Sequence, residues 1–464
     1  MLGTRQLLAG GAALLLALVL IGWSVVGDGA APPALGAEVV GFGANTERAD
    51  PFDFVFDEGV IRTYDVTVAE DDWDWLNDNP LDEEYVPGSL TFEGRQFNDV
   101  GVRYKGFYGQ LRFCFDAAGN QTCPKIALKL KFNEYDRRGR FYGLKRLNFH
   151  SMHEDDSQLR EALAYRLYRE AGVPAPRTAF AWVTVNGEPH GLFLVVENID
   201  DRFVATHFRD AGDGKLYKEV WPEHDTSLPY VEALDRTFWG ADRPDVSRFQ
   251  AFGSEMLAAH TDDPASDADV YRVIREWTDA DALLRYMAVD RFVDNWDGVV
   301  AWYCVTVGTV NPGRCFNHNY FWYEHSRSGR FTLIPWDLEH TFRYPSPIRR
   351  WYRMPAWEAT EAACHLRPVF LEIPARAPSC DPFLHALATA GWDDYVAAAQ
   401  EVLAMPAFQI EALHAHVDAL AALLEDAITE DRNGPHRIVW REAVRELKEN
   451  IVSVREQALA ALES

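Results

Sequence analysis

Lysine is scarce in this chain. Only eight occur in 464 residues, and seven of them fall between Lys105 and Lys218, whereas arginine is spread throughout. A net basic charge is missing altogether, with 71 acidic side chains against 45 basic ones and a formal charge of −26. A nucleic-acid partner needs a cationic face to displace counterions, so the balance argues against one. The acidic excess reads most simply as a solvated surface that favours solubility. No Cys-x-x-Cys motif occurs and no His-rich spacing accompanies the six cysteines, which argues against a zinc site. Long low-complexity stretches and internal repeats are also missing, which excludes a disordered tail protein and a solenoid.

What remains is a chain long enough for a large core, with abundant aromatics and more than one packed unit. Its few lysines gather in one segment, and lysine is a compact point charge suited to phosphate. The cysteines form three near pairs, Cys114 with Cys123, Cys304 with Cys315, and Cys364 with Cys380; local pairing is the favoured connectivity, each bridge stapling a loop in an oxidising compartment. Residues 7–26, LLAGGAALLLALVLIGWSVV, are an apolar stretch behind Arg5 that reads as a secretory signal or a single membrane anchor. Small residues in PPALGAE offer a cleavage point near Ala37. Either way, the rest of the chain is expected outside the cytoplasm, secreted or anchored.

A linker over 27–50 leads to an acidic helix at 68–80, stopped by Pro80. Strand-like segments follow, turned at Gly94 and in the Gly106–Gly109 region. SQLREALAYRLYREAGVPAP reads as a helix capped by Ser157 and ended by Gly172, with Leu159, Leu163, Leu167 and Ala171 as its apolar stripe. A hairpin turned at Asn186–Gly187 comes next. Residues 230–300 read as mainly helical, 316–336 as two strands around Ser328–Gly329, and the chain from Pro382 onward as helical. The expected plan is α+β: a β-rich lobe with one helix, then a mainly helical lobe carrying a small hairpin. Its expected segments are a leader and linker over 1–37, an extension over 38–100, a β-rich lobe over 101–200, a helical lobe over 201–381 and a C-terminal helical region over 382–464.

Two aspartates carry most of the chemistry. Asp297 in DRFVDNWDGV and Asp337 in FTLIPWDLEHTF each follow apolar and aromatic residues, where an ionised carboxylate is costly without a partner. Asn319 stands between them, opening an aromatic strand. Carboxylate, amide and carboxylate are the parts with which a phosphoryl-transfer site orients an acceptor and holds magnesium. Asp294 is a rival for the role of Asp297. Lys129 and Lys131 share one face of a strand, and either could meet nucleotide phosphates; Glu161, on the following helix, is their obvious partner. Glu161 lies opposite the leucine stripe, beside Tyr165 and Tyr168. Arg103 and Lys105 precede a turn that can lie over phosphates, and Glu197 ends an apolar run where a hinge between lobes would begin, where it either contacts a base or ribose or simply caps the strand. His318 and His340 read as structural.

At these residues the chain resembles the spore-coat protein H (CotH) kinase family. The matching pieces are VRYKG, KIALKLKFNEY, GLKRLNFHS, LREALAYRLYREAGVPAPR, VNGEPHGLFLVVENID, KLYK, NWDG, HNYFWY and IPWDLEHTF, in the family's order, over roughly residues 57–430. The resemblance implies an atypical kinase-like fold, use of Mg-ATP and a protein acceptor. It implies Asp297 as the catalytic aspartate, Asp337 and Asn319 as metal ligands, and Lys129 or Lys131 as the phosphate-binding lysine. The chain departs from the family in two places: GFYGQLRFC replaces a Gly-Asn-Ser-Ser turn after the RYKG piece, and the segment from Asp297 to Asn319 is longer. Three other outcomes stay open: a non-catalytic envelope scaffold, nucleotidyl in place of phosphoryl transfer, and a glycan hydrolase using Asp297 and Asp337 without metal.

Overall fold

The period-2 alternation of the N-terminal half builds a barrel. The computed structural model describes residues 50–106, 110–208, 214–222, 245–304, 315–342, 355–360, 363–368 and 374–463. Within them β1 (Arg62–Val68), β2 (Val86–Phe92), β3 (Arg95–Tyr104), β4 (Leu128–Lys131), β5 (Arg146–His150), β6 (Thr178–Val185) and β7 (Glu188–Val196) close in the order β1-β2-β3-β4-β5-β7-β6. Closure comes from the parallel pairing of β1 with β6. Residue 101 therefore falls inside β3, and β1 and β2 belong to the same barrel. The acidic helix, α1 (Glu70–Asp78), crosses between β1 and β2.

The barrel interior is filled by every second residue: Val100, Val102 and Tyr104 of β3, Leu128 and Leu130 of β4, Leu147 and Phe149 of β5, and Phe193 and Val195 of β7. Each such side chain contributes roughly 1.5–3 kcal/mol by leaving water. The intervening residues of β7, Leu192, Leu194 and Val196, face a second core outside the barrel. A strand buried on both faces must read as an unbroken apolar run, which is why GLFLVV shows no alternation. The hairpins turn where expected, at Gly94 (φ 72°) and at Asn186–Gly187 (φ 53° and 84°).

Helix α2 (Arg160–Glu170) packs in that outer core through Leu159, Leu163, Leu167 and Ala171, the stripe read from the sequence. Its start differs from expectation. Asp155, rather than Ser157, supplies the cap: its carboxylate accepts from the Arg160 amide (2.8 Å) and from Ser157 itself (2.9 Å from the amide). A carboxylate at a helix N-terminus is favoured over a hydroxyl by the helix dipole.

The remainder is mainly helical: α3 (Asp201–His207), α4 (Ser247–Ala259), α5 (Ser266–Trp277), α6 (Ala280–Phe292), α7 (Pro382–Ala388), α8 (Trp392–Ala404), α9 (Ile410–Glu430) and α10 (Arg437–Ala461). It carries two small sheets. One orders β12 (Phe331–Pro335), β11 (Tyr320–Glu324) and β8 (Lys215–Lys218); the other orders β10 (Cys315–Phe316), β9 (Trp302–Cys304), β14 (Pro374–Arg376) and β13 (Arg367–Pro368). The architecture is a mixed α+β one. All three expected disulfides are closed, Cys114–Cys123, Cys304–Cys315 and Cys364–Cys380. Among the described residues no helix is long and apolar enough to cross a membrane, and the 7–26 stretch lies outside them.

The barrel is locked to the C-terminal helices by one buried ion pair. Lys125 donates to Asp431, between α9 and α10, at 2.9 Å, and both side chains are sealed from solvent. Asp431 also accepts from the Leu192 amide at 3.0 Å. A Cβ at Gly191 would collide with that carboxylate, so only glycine admits the approach. Asp431→Ala leaves Lys125 buried and unpaired, and we expect a stability loss of about 3–5 kcal/mol in urea unfolding. A loss below about 1 kcal/mol, the range of exposed pairs, would contradict the lock.

Candidate active site

Two aromatic strands place the site. β11 and β12 pair antiparallel from Tyr320↔Pro335 to Glu324↔Phe331 around Gly329, with both faces buried. At the open end the Trp336 amide donates to the Asn319 carbonyl (3.1 Å), so Asn319 and Asp337 flank one hairpin mouth. Both residues take left-handed backbone, φ 63° and 55°. Asn and Asp tolerate that region best among residues with a side chain, and such outliers gather where function holds them. The Asp337 amide is fixed by donating to the Tyr165 hydroxyl of α2 at 2.9 Å.

Asp297 joins them from the loop after α6. The Asn319 side-chain amide donates to the Asp297 carbonyl (2.9 Å) and carboxylate (3.1 Å). The Tyr303 hydroxyl donates to the other carboxylate oxygen at 2.7 Å, and His318 Nε2 stands 3.3 Å from it. Burial works against this charge, but His318 and Tyr303 outweigh it and hold the carboxyl at about 2. In turn, burial opposes protonation of His318, and Asp297 overrides it and raises the imidazole. Asp297 is thus favoured in its ionised form at neutral pH, with both oxygens engaged. Asp294 instead lies in the electrostatic surroundings of Asp290 and Arg291.

The opposite wall is the outer face of the barrel. Because β3, β4 and β5 alternate, Arg103, Lys129, Lys131, Arg146, Asn148 and His150 all point away from the interior; Arg103, Lys129 and Asn148 are lateral partners. Their fates differ. Arg103 is tied to Glu83 at 2.5 Å and covers the Tyr85 ring. Lys131 pairs with Glu134 and also covers Tyr85. Lys105, just past β3, is the lysine beside the helix carboxylate: its Nζ lies 2.6 Å from His150 Nε2 and 5.5 Å from the Trp336 ring centroid. His150 Nδ1 is 2.9 Å from Glu161. A Lys105–His150–Glu161 chain thus meets the helix carboxylate, while Lys131 is engaged by Glu134. Lys129 sits opposite Asn148, two residues short of His150 along β5, and its charge reaches His150.

This centre holds too much negative charge. Burial raises Glu161 to about 7 despite Lys105. Burial, with Asp337, Glu161 and Glu154 around it, pushes Glu339 well above the carboxylate range. His150, buried beside Lys105, is held at about 3 and is neutral. Lys105 is lowered by burial and sustained by Asp337 and Glu161. His150, Glu161 and Asp337 offer ligand atoms within 4.8 Å of one another. Carboxylates crowding one lysine are the surroundings that a hard divalent cation relieves, and the oxygen donors of Asp337 and Asn319 suit magnesium. The donor set fits the metal.

Glu197 departs from its expected role. It is buried between Arg177 (2.6 Å and 3.1 Å) and His207 (2.9 Å), with no free oxygen for a ribose. Burial opposes its charge, yet Arg177 and His207 hold it well below the usual range. Residues 107–109 lie outside the described ones, and the Gln110 side chain binds the Ala127 amide (2.7 Å) and Ser151. The sequence places Tyr165 beside Glu161 without a role, and singles out none of His150, Tyr303 and Glu339. The Glu161–Tyr165 spacing of one helical turn was the available signal for Tyr165; nothing local marks the others.

The comparisons with known proteins follow this geometry. A family model described as CotH kinase protein matches residues 102–458. Inner spore coat protein H of Bacillus subtilis (strain 168) is 24% identical over 294 residues, 61% of this chain and 69% of that protein. An inner spore coat protein H-like protein of the same strain is 36% identical over 56 residues, 12% of this chain and 18% of that one. Among solved structures, the Helicobacter pylori proinflammatory kinase CtkA aligns over 78% of this chain and 94% of its own at 10% identity, with a TM-score of 0.30 that carries no weight for the fold.

Glu197 makes a testable pair. Arg177→Ala should cost about 3 kcal/mol at neutral pH, because it strands a buried carboxylate. The folded-state pKa lies below the ordinary 4.5, so this stability is complete above that value and drains away as pH falls below it. Urea midpoints of wild type and variant should therefore converge on acidification; a gap that stays constant to pH 3 would contradict the assignment.

Proposed function

The chain belongs to the CotH kinase protein family, and from that premise we propose that it is an exported atypical kinase transferring phosphoryl from Mg-ATP to a protein hydroxyl. The observation that carries the reading is the joining of Asp297, Asn319 and Asp337 at one hairpin mouth, opposite the half-buried Lys105. Asp337 and Asn319 would hold Mg²⁺, which when bound neutralises phosphate charge. Lys105 faces the same centre and receives the triphosphate, with Lys129 behind it on the barrel face. Asp297 orients the acceptor hydroxyl. With its carboxyl held near 2 it is a weak base, and so contributes chiefly by position and charge, as loose phosphoryl-transfer transition states require. The kinase-like arrangement of a strand-built lobe over a helix-built lobe belongs to this reading. Export is supported by the 7–26 stretch and the three disulfides.

The test is transfer of ³²P from γ-labelled ATP to a generic acceptor protein. Asp337→Ala should abolish incorporation, and Asp297→Asn should lower kcat by about 10²–10⁴-fold. Incorporation indifferent to Asp337→Ala would overturn the reading. No heat on mixing folded protein with Mg-ATP would favour the scaffold alternative.

A further inference from the structure

Tyr168 carries a fully buried hydroxyl that the site does not use, and it points at a buried carboxylate. We propose that Tyr168 and Asp290 are positioning residues that register the Asp297 loop to α2, so that one helix face sets both walls of the cleft. The proposal rests on the kinase reading.

Glu161, Tyr165 and Tyr168 follow one another at i, i+4 and i+7, which places them on one side of α2. Glu161 meets His150, and Tyr165 receives the Asp337 amide. Tyr168 donates to Asp290 Oδ1 at 2.7 Å. The same oxygen accepts from Asn295 Nδ2 at 2.9 Å, and the Asn295 amide donates to the Asp290 carbonyl at 3.1 Å. Asn295 is two residues from Asp297. It packs so closely over Gly298 that a Cβ there would collide with its Nδ2. The loop is thus tied at its start to α2 through Asp290, and at Asp297 to the hairpin mouth through Asn319.

Stability does not explain this carboxylate. Asp290 is 2% exposed and is bonded by a phenol and an amide rather than a cation. Burial raises it to about 7, only partly offset by Tyr168 and Asn295. The titratable groups facing it are Tyr168 and Tyr286, both pushed far up by burial and by Asp290, Asp294 on the loop, and Tyr395 of α8. A folded-state value above the ordinary aspartate means that stability falls as pH rises toward 7 and the buried charge forms. The charged form is also the better acceptor for both donors. The loop is therefore held most firmly in the state that costs the fold most.

The experiment compares wild type with Asp290→Asn and Tyr168→Phe by thermal unfolding at pH 8, by kcat and KM across pH 5.5–8.5, and by hydrogen exchange over residues 293–300. Asp290→Asn should melt no lower than wild type at pH 8. Its kcat should fall by about ten-fold or more through loop misplacement, with KM for ATP within about two-fold. Any rise of wild-type kcat through neutrality should flatten in the variant. Both variants should exchange faster over 293–300, while α9 and α10 stay unchanged. Unaltered exchange, or a kcat loss matched by a loss of folded protein, would overturn the proposal. The exchange measurement needs no turnover, so it decides the relay even if Asp337→Ala refutes the kinase reading.

Discussion

The contact on which the site depends is the Asn319 amide reaching the main chain and side chain of Asp297 together. Asp297 arrives on a loop after α6, and Asn319 on a strand beyond a disulfide-closed excursion. That double hydrogen bond fixes the two side chains against each other, with His318 beside Asp297 and the Asn317 side-chain amide donating to the Val299 carbonyl (2.7 Å) holding the same two segments together. The amide is in turn fixed by the strand pairing that puts Asn319 opposite Trp336, and so next to Asp337. A two-strand hairpin with both faces buried is a stiff support, and the acidic groups stand at its open end, where the backbone is held left-handed.

Charge is the second constraint. Asp337, Glu161 and Glu339 gather near the half-buried Lys105, and the fold answers by raising Glu161 to about 7 and Glu339 further, while keeping His150 neutral. Asp297 is treated differently, with His318 and Tyr303 arranged to keep it ionised. Carboxylates driven apart in this way are a mark of sites with divided roles.

Much of the plan was legible in the sequence because its signals are local. The Asn186–Gly187 and Gly94 turns, the α2 stripe and the three cysteine pairs each depend on residues a few positions apart, and each is found where it was expected. The Asn319 side chain is bonded to Asp297, and Asn319 and Asp337 flank one hairpin mouth. The choice of lysine was not legible. Lys105, Lys129 and Lys131 share a face, and only the barrel's register, closed by β1 on β6 more than a hundred residues apart, decides which one meets α2. Glu197 misled because its position at the end of an apolar run is the same for a ligand-facing acid and for one sealed between Arg177 and His207. Pairings of that kind depend on side chains distant in sequence.

The central claim is a divalent cation and a triphosphate held between the hairpin mouth and the barrel face. A crystal structure with Mn²⁺ and a non-hydrolysable ATP analogue tests it most directly, using the anomalous signal of manganese. The account predicts the ion on Asp337 and Asn319, with the terminal phosphates toward Lys105 and Asp297 beside the γ-phosphate. Manganese bound elsewhere, or a nucleotide seated away from Lys105, would contradict it.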